Sequence, residues 1–121
     1  MVVGHKPETN FAIDVGGEAV GGIGFTLQPD VGHRSAEIGY WLSEEFWGRG
    51  IATDALIAVT DHAFANYDIC RIFAHVFEWN GASARVLEKA GYTLEGRLRK
   101  SVTKDGQTID QLMYAAIREE E

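Results

Sequence analysis

The hydrophobic and polar positions of this chain change period several times, and each change marks an element. Phe11–Val15 and Ala19–Leu27 read as two strands, joined by Gly16-Gly17 as a two-residue hairpin turn. A looser segment with Pro29 and Gly32 follows. Ser35–Leu42 then alternates, with Ala36, Ile38, Tyr40 and Leu42 on one side and Glu37, Gly39 and Trp41 on the other. From Ile51 to about Asn66 the spacing lengthens: Ala52, Leu56, Val59 and Ala63 recur at three and four residues, as on the apolar face of a helix. Arg71–Phe77, rich in aromatic and branched residues, reads as a buried strand. Ser83–Ala90 reads as a second helix, with Asn80 as N-cap and Gly91 just past its end. Leu94–Thr103, an Asp105-Gly106 turn and Thr108–Ile117 form a long closing hairpin.

The order β-β-β-α-β-α-β-β predicts an α/β (α+β) fold, a mixed and mostly antiparallel twisted sheet with helices packed on it. At 121 residues the chain is expected to form one domain, 1–121, without linker, repeat or low-complexity segment. Its net charge of −7 argues against nucleic-acid or anionic-membrane partners and suits a cationic acceptor. Part of that charge is the terminal Glu119-Glu120-Glu121 run, read as a solvated tail. The single cysteine, Cys70, excludes an intrachain disulfide and reads as a core thiol. No signal peptide and no membrane-length apolar run is found, so a cytoplasmic protein is expected.

The most informative segment is Phe46-Trp47-Gly48-Arg49-Gly50-Ile51-Ala52-Thr53, which leaves a strand and opens a helix. Glycines there let a backbone approach a ligand with no Cβ between, and the helix start adds about half a positive charge. The pair makes either an anion site suited to a pyrophosphate or merely a tight turn. No Lys-Ser/Thr follows the second glycine, so it is not a P-loop, and the sheet is no run of βαβ units.

Trp47-Gly48-Arg49-Gly50-Ile51-Ala52 resembles the Arg/Gln-x-x-Gly-x-Gly/Ala turn of the GCN5-related N-acetyltransferase (GNAT) superfamily, with Trp47 where Arg or Gln is usual. Glu37-Ile38-Gly39-Tyr40-Trp41-Leu42, Asn80-Gly81-Ala82-Ser83 and Leu87-Glu88-Lys89-Ala90-Gly91-Tyr92 look like its ribosomal-protein-acetylating, RimJ/RimL-like branch. So does Asp105-Gly106…Asp110…Met113-Tyr114, and the segments keep the family's order over about residues 11–119.

The resemblance implies acetyl-coenzyme A (acetyl-CoA) as cosubstrate and an amine acceptor, a protein N-terminus or a small amine. It places the coenzyme against Trp41, Leu42, Trp47, Gly48, Arg49, Gly50, Ile51, Ala52, Thr53, Asn80 and Ser83. Family domains usually begin with a strand and two helices before the first hairpin. Here that hairpin almost opens the sequence, so an uncovered sheet edge or face, and a homodimer covering it, are expected.

Acyl transfer to an amine needs a base for the amine, a donor for the oxyanion and a proton for the thiolate. Glu37 is the candidate base or a solvent-facing strand residue. Ser83 is the candidate acid or a first-turn polar group, because Leu87 fills the position where many members carry a tyrosine acid. His75 reaches the cleft or serves as a core or edge residue, and the four histidines show no metal-ligand spacing. Trp41, Trp47 and Trp79 flank the site as packing residues or walls. The expected activity is N-acetyl transfer; the alternatives are a non-catalytic CoA or acyl-CoA binding module and an assembly subunit.

Overall fold

A computed structural model describes residues 9–118, so Glu119-Glu120-Glu121 lies outside the described residues. Six strands and two helices follow the expected order: β1 (Asn10–Val15), β2 (Glu18–Leu27), β3 (Ser35–Leu42), α1 (Ile51–Asn66), β4 (Arg71–Phe77), α2 (Gly81–Lys89), β5 (Thr93–Lys104) and β6 (Gln107–Ile117). They form one mixed sheet in the order β1-β2-β3-β4-β6-β5, in which only β3 and β4 run parallel. The two tight hairpins owe their form to left-handed backbone. Gly16 and Gly17 have φ of 61° and 87°, and Asp105 and Gly106 have 53° and 78°, which suits the right-handed twist of the strands they join.

Two short 3-10 turns, Asp30–Gly32 and Glu44–Phe46, occupy segments whose pattern carried no period. The second helix begins at Gly81, two residues before the expected Ser83. Asn80 Oδ1 accepts the Ser83 N–H at 3.1 Å, so the helix starts directly after its cap.

Both helices cover one face of the sheet. Ile23, Phe25, Ala36, Ile38, Ile72, Ala74 and Val76 face them, and Leu56, Ile72 and Leu87 are fully enclosed. Burying each of these side chains stabilises the fold by roughly 1.5–3 kcal/mol. The expectation of a wholly buried β4 is corrected: Ile72, Ala74 and Val76 are buried, while Arg71, Phe73, His75 and Phe77 lie half-buried on the opposite, open face. Cys70 is likewise only half-buried. It sits in the bend before β4, where its N–H bonds the Arg34 carbonyl and its carbonyl takes the Arg118 N–H.

Candidate functional site

β3 and β4 pair over only three rungs, Ser35–Arg71, Ala36–Ile72 and Glu37–Phe73. Among the described residues, β3 beyond Glu37 runs on to Leu42 bonded only to β2, and β4 runs on to Phe77 bonded only to β6. The strands therefore part, and each presents unpaired backbone to the space between them. A parallel pair has no hairpin to mark it, which is why periodicity alone did not reveal the opening.

At the C-terminal end of that opening lies the glycine turn. The Trp47 indole N–H donates to the Leu42 carbonyl at 2.7 Å, folding the chain back on the end of β3. Gly48 and Gly50 have φ of 76° and 78°, a backbone that other residues adopt only with strain, and a Cβ on either would enter open space. The first helical bond of α1 runs from Asp54 N–H to the Gly50 carbonyl. Among the described residues no main-chain acceptor takes the N–H groups of Gly48, Arg49, Gly50, Ile51, Ala52 or Thr53. Free donors and a bare approach fit a diphosphate. Arg49 stacks its guanidinium on Phe46, 5.0 Å from the ring centre, at the edge of the same turn.

The opening is bridged on the helix side. Tyr40, on β3, places its hydroxyl 2.7 Å from Ser83 Oγ, in the first turn of α2, whose N–H the Asn80 cap holds. Burial pushes the Tyr40 phenol above its ordinary value, and the Ser83 hydrogen bond pulls it partly back. Leu87 is 0% exposed, so that position offers the site no polar group.

Glu37 lies on the open face at the last rung, its Oε2 3.0 Å from His75 Nδ1. A shallow groove of about 470 Å³ runs from it across β3, β2 and β1, bounded by Asn10, Thr26 and Trp41 and floored by Gly22, Gly24 and Gly39. Trp41 lies across Gly22, where a Cβ would come within 2.7 Å of the indole nitrogen, so its side chain belongs to this groove and not to the glycine turn. Trp79 stacks on Phe77 at 5.4 Å.

The structure thus groups Leu42, Trp47, Gly48, Arg49, Gly50, Ile51, Ala52 and Thr53 at one end of the opening and Asn80 with Ser83 on its helix side. It sets Glu37 and the Trp41 side chain on the far face. Sequence reading passed over Tyr40, whose alternation placed it on the helix face, and left His75 undecided. Only the tertiary fold shows their partners. Among the described residues no group of three or more His, Cys, Asp or Glu side chains is placed to hold a metal. Nor is any helix among them long and apolar enough to cross a membrane.

This fold, with a parted parallel strand pair beside a glycine turn, agrees with the comparisons. The Acetyltransferase (GNAT) domain family matches residues 3–93, and the chain belongs to that family. An uncharacterized N-acetyltransferase of Bacillus subtilis, YoaA, is 36% identical over 86% of this chain and 58% of its own length. The ribosomal-protein-serine acetyltransferase of Escherichia coli is 33% identical over 70% of this chain and 48% of its own.

Among solved structures, Mycobacterium smegmatis RimJ in complex with CoA-disulfide superposes with a TM-score of 0.82 at 37% identity, covering 89% of this chain and 52% of RimJ. A RimL ribosomal L7/L12 acetyltransferase in complex with coenzyme A reaches 0.77 at 33%, covering 84% and 57%. The RimJ/RimL resemblance is borne out. The chain spans about half the length of these relatives.

Proposed function

We propose that this protein is an N-acetyltransferase, moving an acetyl group from acetyl-CoA to a primary amine within a ternary complex. The observation that carries the reading is the glycine turn, whose free N–H groups open on the parted strands. Gly48, Gly50 and the first turn of α1 hold the diphosphate through backbone donors, which is why Trp47 in place of Arg or Gln does not disable the turn. The parted edges of β3 and β4 offer N–H and C=O groups to an extended amide chain.

Glu37 accepts the proton of the acceptor amine, whose nitrogen then bonds to the thioester carbonyl carbon as the C–S bond breaks. Ser83 Oγ–H supplies the proton to the sulfur, and Tyr40 O–H donates to Ser83 Oγ in its turn. Alignment of the two reactants contributes much of the rate, as effective molarity.

The acceptor is a protein N-terminus or a small amine, the choice framed by relatives named as a ribosomal-protein-serine acetyltransferase and a spermidine N(1)-acetyltransferase. We place the protein in the cytoplasm as a homodimer joined through its edge hairpins, β1-β2 and β5-β6, which leaves the groove beside Glu37 open to the acceptor. Release of free thiol from acetyl-CoA with a panel of N-terminal peptides and polyamines tests the activity. Coenzyme binding without turnover on any amine would leave a CoA-binding module, and no binding would remove the reading altogether.

A further inference from the structure

His75 and Glu37 meet on the open face just where the sheet parts, and the geometry of the imidazole defines what it does there. A carboxylate oxygen only accepts, so the 3.0 Å contact between Glu37 Oε2 and His75 Nδ1 requires the hydrogen on Nδ1. The neutral ring then carries a bare lone pair on Nε2. That atom is buried and has no partner among the described residues, so a hydrogen moved there would sit enclosed without an acceptor. The ring is packed edge-on against Phe73, 5.7 Å between centres, and lies beside Met113 in the register of β6. The strand's other charged open-face residue, Arg71, bonds Glu95 at 2.7 Å. Among the described residues His75 thus has one polar side-chain contact, and it faces Glu37.

We propose that His75 is a positioning residue for the base. Its Nδ1–H fixes Oε2 of Glu37 at the mouth of the strand opening and leaves Oε1 turned to the groove for the acceptor amine. The buried Nε2 holds the ring in the single tautomer that can do this. The inference rests on Glu37 acting as the base. It goes further in assigning the orientation of that carboxylate to one hydrogen bond from a neighbouring strand, where a carboxylate on a strand face otherwise rotates freely in water. Holding the carboxylate within the reactive geometry is the kind of alignment whose loss lowers turnover and leaves coenzyme affinity intact.

The test combines a spectroscopic and a kinetic readout on the full chain. Long-range proton–nitrogen correlation at neutral pH is expected to show His75 as the Nδ1–H tautomer. Glu37→Ala is expected to keep that tautomer, set by the buried Nε2, while its Nδ1 proton loses the downfield hydrogen-bonded shift and exchanges faster with water. In thiol-release assays His75→Phe should lower kcat about tenfold with KM for acetyl-CoA little changed, whereas His75→Asn, which keeps a donor near the Nδ1 position, should recover most of the rate. An Nε2–H tautomer in the wild type overturns the proposal, as does full activity of His75→Phe beside an inactive Glu37→Ala. A fully active Glu37→Ala would remove the base assignment instead. If His75→Phe does not fold, or no amine is turned over, the tautomer of the wild type and the change of its Nδ1 proton signal in Glu37→Ala decide.

Discussion

The hydroxyls of Tyr40 and Ser83, 43 residues apart in sequence, lie 2.7 Å from each other and join the third strand to the second helix across the parted sheet. Tyr40→Phe is expected to free the Ser83 hydroxyl and to cost about 1 kcal/mol of stability. Turnover should fall less than in Ser83→Ala, since the serine keeps its own proton. Steady-state kinetics of both variants, beside their urea midpoints, check the order. Equal turnover in wild type and Ser83→Ala would take the serine out of the reaction.

Coenzyme A at ~100 times its dissociation constant should stabilise the protein by about 2.7 kcal/mol. Gly50→Val should abolish most of that gain, because φ of 78° strains any side chain and the new Cβ enters the approach path. Trp47→Gln should bind nearly as well as wild type. Calorimetric titration of the three proteins reads the difference directly, and undiminished affinity in Gly50→Val would make the turn purely structural.

Two strand glycines on opposite faces should respond in opposite ways. A Cβ at Gly21 would lie 2.4 Å from the Trp41 carbonyl oxygen, so Gly21→Ala should cost about 1–3 kcal/mol as overpacking. Gly39 has nothing within 4 Å, so Gly39→Val should melt no earlier than wild type. Its side chain would nevertheless stand in the groove beside Glu37, and KM for the acceptor should rise while KM for acetyl-CoA holds.

Stability should decline at alkaline pH. Tyr92 is buried, its hydroxyl 2.7 Å from Thr60 Oγ1, and burial pushes its pKa from 10.0 to about 12 despite that hydrogen bond. The folded state therefore keeps a proton that the unfolded chain releases. The contribution is complete below pH 10 and is lost as pH rises through about 12, at about 1.4 kcal/mol per pH unit. Tyr40 and Tyr114 are raised in the same direction and add to the slope. Urea melts from pH 9 to pH 12 should show it, and Tyr92→Phe should flatten it.

Much of the fold was legible because its signals are local. The alternation of Ala36, Ile38 and Tyr40 against Glu37 and Gly39, the Gly16-Gly17 and Asp105-Gly106 turns, and the three- and four-residue spacing from Ala52 to Ala63 each depend on neighbours in sequence. The parting of β3 from β4 depends on residues 36 positions apart, Glu37 and Phe73, and leaves no periodic trace. For the same reason the family resemblance pointed to Glu37 and Ser83 as candidates but not to their partners. His75 and Tyr40 reach them only through tertiary packing, and Arg71–Phe77 looked doubly buried because Phe73 and Phe77 are apolar yet line the open face.

The three rungs between β3 and β4 make the sheet two plates, β1-β2-β3 and β4-β6-β5, riveted at one end and connected in sequence through α1. A backbone-like ligand lying between the plates would supply the missing rungs and act as a transient extra strand. Part of its binding energy would then go into stiffening the sheet, so amide exchange at Ile38, Tyr40 and His75, whose backbone faces the opening, should slow on saturation.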